Sequence, residues 1–389
     1  MHMNFSKTER IKRLPPYLFV ELDRKKSEIQ AKGVDVIDLG IGDPDLPTPD
    51  FVVDAMAKAI RNPKNHRYPS SQGSLAFRKA AVGFCRRRFG LDLDPETQVC
   101  ACIGSKEAIG HFPIAFVESE DVVLVPSPGY PVYHIGTLFC GGISYFLPLL
   151  EENEFLPDIS SIPGDVAEKA KIIWLNYPNN PTAACATSEF FRQVVDFARE
   201  YNIIVCHDAA YSEMCFDGYN APSFLETPGA MDVGIEFHSM SKTYNMTGWR
   251  MGFAVGNPEL VGALKQVKSN LDSGQFEAVE DASIVALESD QSFVKEMQAI
   301  YQGRRDVLVK GLRSLGLDAA MPRATFYVWI KVPEGFTSSS FSTLLLEKAG
   351  IVCTPGNGFG EPGEGFVRMA LTVSEDRMQE VVERLSGIL

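Results

Sequence analysis

The fold is decided by residues 171–208, whose sequence is KIIWLNYPNNPTAACATSEFFRQVVDFAREYNIIVCHD. Two apolar runs rich in β-branched residues, KIIWLN and IIVCHD, flank residues 187–201, which have the length and pattern of a helix. A strand, a helix and a second strand in this order favour parallel strands joined by a crossover helix. Five further apolar runs read as strands, namely VCACI, VVLVP, ISYFLPL, GIEFHSM and MGFAVG. Together they predict an α/β domain in which a mainly parallel, seven-stranded sheet lies between layers of helices.

The two chain ends differ from this central pattern. Residues 17–33 predict an amphipathic helix and residues 291–315 a long charged helix. After them come strand FYVWIKV, a helix near 339–349, strand FVRMAL and a terminal helix from about residue 374. This order favours a smaller α+β domain. The simplest partition therefore has a large domain at 46–284 and a small domain formed by residues 1–45 and 285–389.

Composition and charge exclude several classes of function. The 389 residues are 45% hydrophobic and 22% charged, as in an ordinary globular protein, and the net charge is −13. An acidic balance lacks the basic surface that nucleic-acid binding needs. Eight cysteines form no CxxC pair, and neither a membrane-spanning run nor a signal peptide appears. We expect a protein of the cytoplasm with no nucleic acid, membrane or metal among its partners.

The segment GIEFHSMSKTYNMTGWRMG, residues 234–252, carries the strongest chemical signal. A lone lysine is most often a solvated surface group. Here Lys242 follows an apolar strand and stands close to two hydroxyls, Ser239 and Ser241, with Arg250 eight residues later. Hydroxyls and a guanidinium can hold a phosphate, and a lysine of lowered pKa can form a Schiff base with an aldehyde. The combination predicts pyridoxal 5′-phosphate.

Asp208 and Asn180 each follow one of the strands of the opening segment. At the carboxyl end of a strand Asp208 could simply cap a helix, but it could also pair with the pyridine nitrogen and keep it protonated. Tyr211, three residues later, would then reach the ring oxygen. Asn180 lies in the turn YPNNPT, and Pro181 would hold its amide rigid enough to donate to the same oxygen.

Two weaker motifs fit the same cofactor. Strand VCACI runs into Gly104, Ser105 and Lys106 at the start of a helix, and a glycine turn there can bind a phosphate. Tyr130, in PSPGYPVY, is either a packing aromatic or the face on which the cofactor ring stacks.

Arg368 lies inside the apolar run FVRMAL, where a charge is costly unless it is paired. Its partner is either a structural carboxylate or the α-carboxylate of a substrate, and we favour the second. Near the N-terminus, Gly40 and Gly42 leave room for a close approach of the backbone to a ligand.

In their order along the chain, these residues resemble the class I and II aminotransferases of PLP fold type I. The resemblance covers essentially the whole chain. Within that family, the segments LPPYLFVELD, HRYPSSQG and 234–252 are most similar to the enzymes that act on LL-diaminopimelate. The resemblance implies amino transfer from an amino acid to a 2-oxo acid, and specifically amination of tetrahydrodipicolinate by glutamate in lysine biosynthesis.

The resemblance also implies a role for each matching residue. Lys242, Asp208 and Tyr211 would be catalytic. The cofactor would be bound by Ser105, Lys106, Tyr130, Asn180, Asp208, Tyr211, Ser239, Ser241, Lys242 and Arg250, with Tyr68 supplied by the second subunit of a homodimer. The substrate would be bound by Arg368, Gly42, Asn180, Tyr17 and Lys106, the last being a candidate for its distal carboxylate.

The chain departs from the longer enzymes that act on diaminopimelate at two positions. A glutamate that serves the distal end of the substrate there aligns with Ser71, and an asparagine near Gly274 is missing. Aminotransferases for alanine, aspartate or aromatic amino acids, and β-elimination on the same cofactor, therefore stay open. A transcription regulator would need a basic helix-turn-helix module before residue 40, and a dehydrogenase would need a GxGxxG after a strand; neither is found.

Overall fold

The computed structural model describes residues 5–14 and 18–388. Its β-strands form one sheet of seven strands, one of three and one of two. In chain order they are β1 (Ile37–Asp38), β2 (Val99–Cys102), β3 (Val122–Ser127), β4 (Ile143–Pro148), β5 (Ala170–Asn176), β6 (Ile204–Asp208), β7 (Gly234–Ser239), β8 (Gly252–Gly256), β9 (Tyr327–Lys331), β10 (Ile351–Val352), β11 (Thr354–Pro355) and β12 (Phe366–Ala370).

The large sheet confirms the seven predicted central strands. Its order is β2-β8-β7-β6-β5-β3-β4, and only β8 runs against its neighbours. Strands β5 and β6 are parallel, with Asn176 opposite Asp208 at their carboxyl ends. The parallel register thus brings side chains from distant segments to one edge of the sheet.

Helices cover both faces of this sheet, and others pack on the smaller sheets; none of those described has the length and apolar character to cross a membrane. In chain order they are α1 (Glu9–Lys12), α2 (Leu18–Gln30), α3 (Asp50–Ala59), α4 (Leu75–Phe89), α5 (Ser105–His111), α6 (Val132–Cys140), α7 (Gly164–Ala167), α8 (Ser188–Tyr201), α9 (Ala230–Val233), α10 (Met240–Thr243), α11 (Pro258–Leu271), α12 (Glu277–Glu288), α13 (Ser292–Ser314), α14 (Ser338–Ala349) and α15 (Glu375–Ser386).

The helix between β5 and β6 begins and ends as its residue types dictate. The Thr187 hydroxyl accepts a hydrogen bond from the backbone N–H of Phe190, and Asn202 ends α8 in the left-handed conformation. The apolar face of α8 is buried against the sheet. Successive residues of β5 pack on opposite faces, Trp174 with α5 and α6, and Leu175 with α8, so the sheet has a core on each side.

The smaller sheet lies beside the carboxyl end of the large one and confirms the predicted α+β part. Strand β12 is central in the order β11-β12-β9, and all its pairings are antiparallel. Strand β1 pairs with β10, which brings the N-terminal segment to the same place; at two residues each, these strands were too short to predict. The partition at residue 284 stays a prediction, and helix α12 spans that boundary.

Candidate active site

A cavity of about 440 Å³ opens at the carboxyl ends of the parallel strands, where ligands bind in sheets of this kind. Most of the residues predicted to form the site line it. They are Gly42, Ser105, Lys106, Tyr130, Asn180, Asp208, Tyr211, Ser239, Ser241, Lys242, Arg250 and Arg368. The structure therefore brings together residues from five strand ends and from the small sheet.

Lys242 is held at the floor of this cavity by short helix α10, which follows β7 directly. Its Nζ donates a hydrogen bond to the carbonyl oxygen of Gly42 at 2.8 Å. Burial lowers the pKa of Lys242 to about 8, and the nearby Arg368 and Arg250 act in the same direction, opposed by Asp43. A lysine of this pKa presents an appreciable fraction of neutral amine near neutral pH.

Asp208 is buried at the end of β6 and has partners on both carboxylate oxygens. The Tyr133 hydroxyl donates to Oδ2 at 2.8 Å, and the backbone N–H of Ala210 donates to Oδ1 at 3.2 Å. Burial raises the pKa of Asp208, while these hydrogen bonds act against the increase. The side chain faces the cavity rather than the first turn of a long helix, because only a turn follows β6.

Arg368 is 1% exposed and forms no ion pair with an acidic residue of the described ranges. Its Nη1 donates to Asn180 Oδ1 at 2.7 Å, and its Nη2 donates to the Gly40 carbonyl at 2.7 Å. The guanidinium lies 4.2 Å from the ring centroid of Tyr327, while Nε is buried with no hydrogen-bond partner among the described residues. Buried donors without partners are rare, and a carboxylate in the cavity is the natural complement to this group.

The ring-oxygen candidates, Asn180 and Tyr211, both reach the cavity. Asn180 is fixed by a hydrogen bond from its backbone N–H to Asn176 Oδ1 at 2.9 Å. The Tyr211 hydroxyl lies 3.0 Å from the Tyr327 hydroxyl, and burial raises the pKa of Tyr211. Tyr327 also fills the space beside Gly42, where a Cβ would overlap its hydroxyl. The close approach predicted at Gly42 is therefore made by this tyrosine side chain.

One wall of the cavity has the donors that a phosphate requires. The hydroxyls of Ser105, Ser239 and Ser241 and the guanidinium of Arg250 line it. Gly104, with φ of +70°, lies against the Arg250 guanidinium, and a Cβ there would overlap it. The glycine thus leaves the space that the arginine occupies, and this donor set fits the phosphate of pyridoxal 5′-phosphate.

Lys106 and Tyr130 lie together at the mouth of the cavity. The Lys106 ammonium is 5.8 Å from the ring centroid of Tyr130. Partial burial lowers the pKa of this lysine, and the positive charge of Arg250 lowers it further. The Tyr130 ring stands nearly perpendicular to that of Tyr133, at 86°. An edge-on neighbour of this kind fixes the plane of Tyr130.

Two predicted residues are not in this group. Tyr68 is 91% exposed and does not line the cavity of its own chain. Tyr17 lies outside the described residues. The two positions at which the chain departs from longer relatives lie side by side, because Ser70 and Ser71 pack directly against Gly274.

Sequence reasoning missed Tyr133, Tyr327 and Asn176, whose side chains hold Asp208, Tyr211 and Asn180. Asn176 Nδ2 also donates to the Asp208 carbonyl at 2.8 Å. Tyr133 stands three residues after Tyr130 in the quoted motif, at the spacing of one helical turn, and this spacing could have indicated it. No sequence signal marks Tyr327.

The family model described as aminotransferase class I and II matches residues 34–385. The chain belongs to the class I and II aminotransferases. It is similar to the LL-diaminopimelate aminotransferase of Syntrophobacter fumaroxidans, at 59% identity over 98% of this chain and 99% of that protein. The enzyme of the same name from Aquifex aeolicus is 57% identical over 99% of each chain.

The solved structures agree with the sequence matches. A single mutant of the aspartate aminotransferase of Thermus thermophilus is similar to this chain with a TM-score of 0.93 and 28% identity, covering 99% of this chain and all 100% of that one. Class I and II aminotransferases are transaminases that use pyridoxal 5′-phosphate. The predicted fold, enzyme class and cofactor are thereby confirmed.

Proposed function

We propose that this aminotransferase transfers an amino group between LL-2,6-diaminopimelate and 2-oxoglutarate. In the biosynthetic direction glutamate would aminate tetrahydrodipicolinate, on the route to lysine. Relatives that are 59% and 57% identical over nearly their full length bear the name of this activity and support the assignment. The geometry adds a cavity with cationic groups at two separate places, Arg368 and Lys106.

When bound, pyridoxal 5′-phosphate supplies an electron-withdrawing ring that stabilises negative charge on the substrate Cα. Lys242 is assigned two tasks. Its Nζ would hold the cofactor covalently in the resting enzyme and, once the amino donor has displaced it, would move the proton at the substrate Cα. The lowered pKa supports both tasks, because only the neutral amine can act as nucleophile or base.

The groups around the ring have complementary roles. Asp208 would pair with the ring nitrogen, and the Tyr133 hydroxyl would keep this carboxylate charged in spite of its burial. Asn180 and Tyr211 would donate to the ring oxygen, and Tyr130 would stack on the ring face. The phosphate would be held by Ser105, Ser239, Ser241 and Arg250 and by the backbone N–H of Lys106, which leaves the Lys106 side chain free for another role.

The structural observation that carries the amino-donor part of the proposal is the buried Arg368. Its planar guanidinium is aligned by Asn180 and the Gly40 carbonyl, which take one N–H each from Nη1 and Nη2, and the Nε donor has no partner among the described residues. A bidentate contact with the α-carboxylate of the amino donor would meet this need, with Gly42 close by. Every α-amino acid has this carboxylate, so Arg368 accounts for amino-acid binding in general.

Selection of diaminopimelate must come from the other end of the substrate, which has a second ammonium and a second carboxylate. Lys106 is our candidate partner for that carboxylate, with hydroxyls from Tyr130 and Tyr17. A site that hydrogen-bonds both distal groups rejects monoamino acids, because its polar groups would be left unpaired.

We also propose a homodimer with shared active sites, in the cytoplasm. Tyr68 is almost fully exposed in the single chain, which supports its use in the site of a second copy. All eight cysteines are free thiols, and this supports a reducing compartment.

The test is a panel of amino donors with 2-oxoglutarate as the acceptor, measured as glutamate formed. We expect kcat/KM to be highest for LL-diaminopimelate, with the meso isomer used poorly because its distal centre has the wrong configuration. Faster use of alanine, aspartate or phenylalanine would leave only the general aminotransferase activity. Release of pyruvate from cystathionine without glutamate formation would instead indicate β-elimination.

Lys106→Ala, compared with Lys265→Ala at the remote surface, should weaken use of LL-diaminopimelate more than use of alanine.

A further inference from the structure

A buried ionic network lies on the face of the large sheet that points away from the cavity. His207 Nδ1 lies 2.8 Å from Glu236 Oε2, and His238 Nε2 lies 2.8 Å from the other carboxylate oxygen. Ser223 Oγ and the backbone N–H of Phe224 also donate to Glu236, at 2.8 and 2.9 Å. None of the three titratable side chains contacts the cavity, and the chemistry proposed above uses none of them.

Burial of the Glu236 charge is costly, so the carboxylate must be well compensated. Burial by itself would raise the pKa of Glu236, but the contacts with His207 and His238 outweigh it and the pKa lies below its usual value. Glu236 is thus an ionised anchor, and its hydrogen bond to Nδ1 fixes the orientation of the His207 ring.

The other ring nitrogen of His207 meets the backbone of Tyr177. Nε2 lies 3.0 Å from the Tyr177 carbonyl oxygen and 3.3 Å from the Tyr177 backbone nitrogen. A protonated Nε2 donates to the carbonyl, and an unprotonated Nε2 accepts from the N–H. The imidazole therefore holds Tyr177 in either protonation state.

Tyr177 begins the loop that carries Asn180 into the cavity. Asn180 Oδ1 in turn accepts the hydrogen bond from Arg368 Nη1. A continuous chain of contacts thus runs from Glu236 through His207 and the Tyr177 backbone to the loop of Asn180 and then to Arg368. It passes from one face of the sheet to the other around the carboxyl end of β5.

We propose that His207 is a positioning residue for the reaction: its ring, oriented by Glu236, bonds the Tyr177 backbone, holds the Asn180 loop in place and so sets the orientation in which Arg368 receives the carboxylate of the amino donor. This inference rests on the role proposed for Arg368. It adds His207 and Glu236, which contact no substrate, to the residues that determine the geometry of the site.

Two substitutions separate the two contacts of His207. The side-chain amide of glutamine overlaps the position of His207 Nε2, so His207→Gln keeps the hydrogen bond to the Tyr177 backbone and loses the one to Glu236. The side-chain amide of asparagine overlaps the position of Nδ1, so His207→Asn keeps the hydrogen bond to Glu236 and loses the one to Tyr177. We expect KM for the amino donor to rise about tenfold in His207→Asn, with kcat within about threefold, and both constants to stay within about twofold in His207→Gln.

A second readout needs no substrate or cofactor. Hydrogen–deuterium exchange of residues 176–184 in the cofactor-free chain should be faster in His207→Asn than in wild type and close to wild type in His207→Gln. Because this measurement does not involve diaminopimelate, it tests His207 even if another amino acid is the true donor. In that case KM is measured with the best donor found.

Phe191→Leu is the matched control, because Phe191 packs edge-on against the His207 ring, 5.2 Å between centroids, without any polar contact to the loop. It should lower the melting temperature and leave KM and the exchange of residues 176–184 unchanged. If both histidine variants lower the melting temperature but keep wild-type KM and exchange, or if they behave alike, the proposal is overturned. Should neither variant fold, Glu236→Gln replaces them: faster exchange of residues 176–184 supports the proposal and wild-type exchange contradicts it.

Discussion

The wall of the cavity at the strand ends and the loop around Tyr68 are built in opposite ways. Asp208, Asn180 and Arg368 are buried, and each has hydrogen-bond partners within its own chain. Tyr68 is 91% exposed and points to no site of its own chain. A single chain therefore fixes the ring and α-carboxylate groups by its own folding, whereas the proposed contribution of Tyr68 requires a second copy.

The difference follows from local structure. Parallel strands end at one edge of the sheet, so residues at those ends meet without any further device. The Tyr68 segment instead follows a single turn of 3₁₀ helix at Pro63–His66 and lies outside the large sheet. We therefore expect substitutions at the strand ends to act in every subunit separately and substitutions at Tyr68 to act across subunits.

The largest effect should come from Lys242→Ala, which removes the only lysine placed at the floor of the cavity among the described residues. Turnover should be lost, while the cofactor can still be held through its phosphate. The measurements are amino transfer and the visible spectrum of the loaded protein, with Lys265→Ala as the control. A spectrum and activity like those of wild type would show that another residue binds the cofactor.

Asp208→Asn keeps the shape of the side chain and removes its charge. A charge-assisted hydrogen bond is worth about 1.5–3 kcal/mol, and each ~1.4 kcal/mol of lost transition-state stabilisation is about tenfold in rate. Single-turnover kinetics should show a loss of at least about tenfold. If the rate stays close to that of wild type, Asp208 does not control the ring nitrogen.

Arg368→Lys keeps the charge and removes the planar pair of donors. KM should rise about tenfold for every amino donor tested, because all of them have an α-carboxylate. The steady-state measurement compares LL-diaminopimelate with glutamate. An increase confined to one of them would assign Arg368 to side-chain recognition instead.

Tyr133→Phe should have the smallest effect of the four. It removes one donor to Asp208, and a loss of about 1 kcal/mol corresponds to about fivefold in kcat. Because burial already raises the pKa of Asp208, loss of this donor raises it further, and the protonated fraction grows as the pH falls. The deficit should therefore be larger at pH 6 than at pH 8; a deficit independent of pH would mean that Tyr133 serves packing alone.

Much of this could be predicted from the sequence, because the informative signals were local. Strands β5 and β6 and helix α8 follow from apolar periodicity and capping within residues 171–208, and Lys242, Asp208 and Arg368 follow from motifs of known order. The contact of Tyr133 with Asp208 joins positions 75 apart, and that of Tyr211 with Tyr327 joins positions 116 apart. Neither spacing has a local signature, since only the packing of helix on sheet and of the two sheets together creates these contacts.

The most direct test of the difference between the two regions is to mix two impaired variants, Lys242→Ala and Tyr68→Ala, under conditions that allow subunits to exchange. If sites are shared, a mixed dimer has one site with the intact Lys242 of one chain and the intact Tyr68 of the other. Random exchange makes half of the dimers mixed with one good site each, so activity should recover to about one quarter of wild type. No gain over the sum of the two separate variants, or full activity of Tyr68→Ala alone, would contradict the claim that a second copy completes the site.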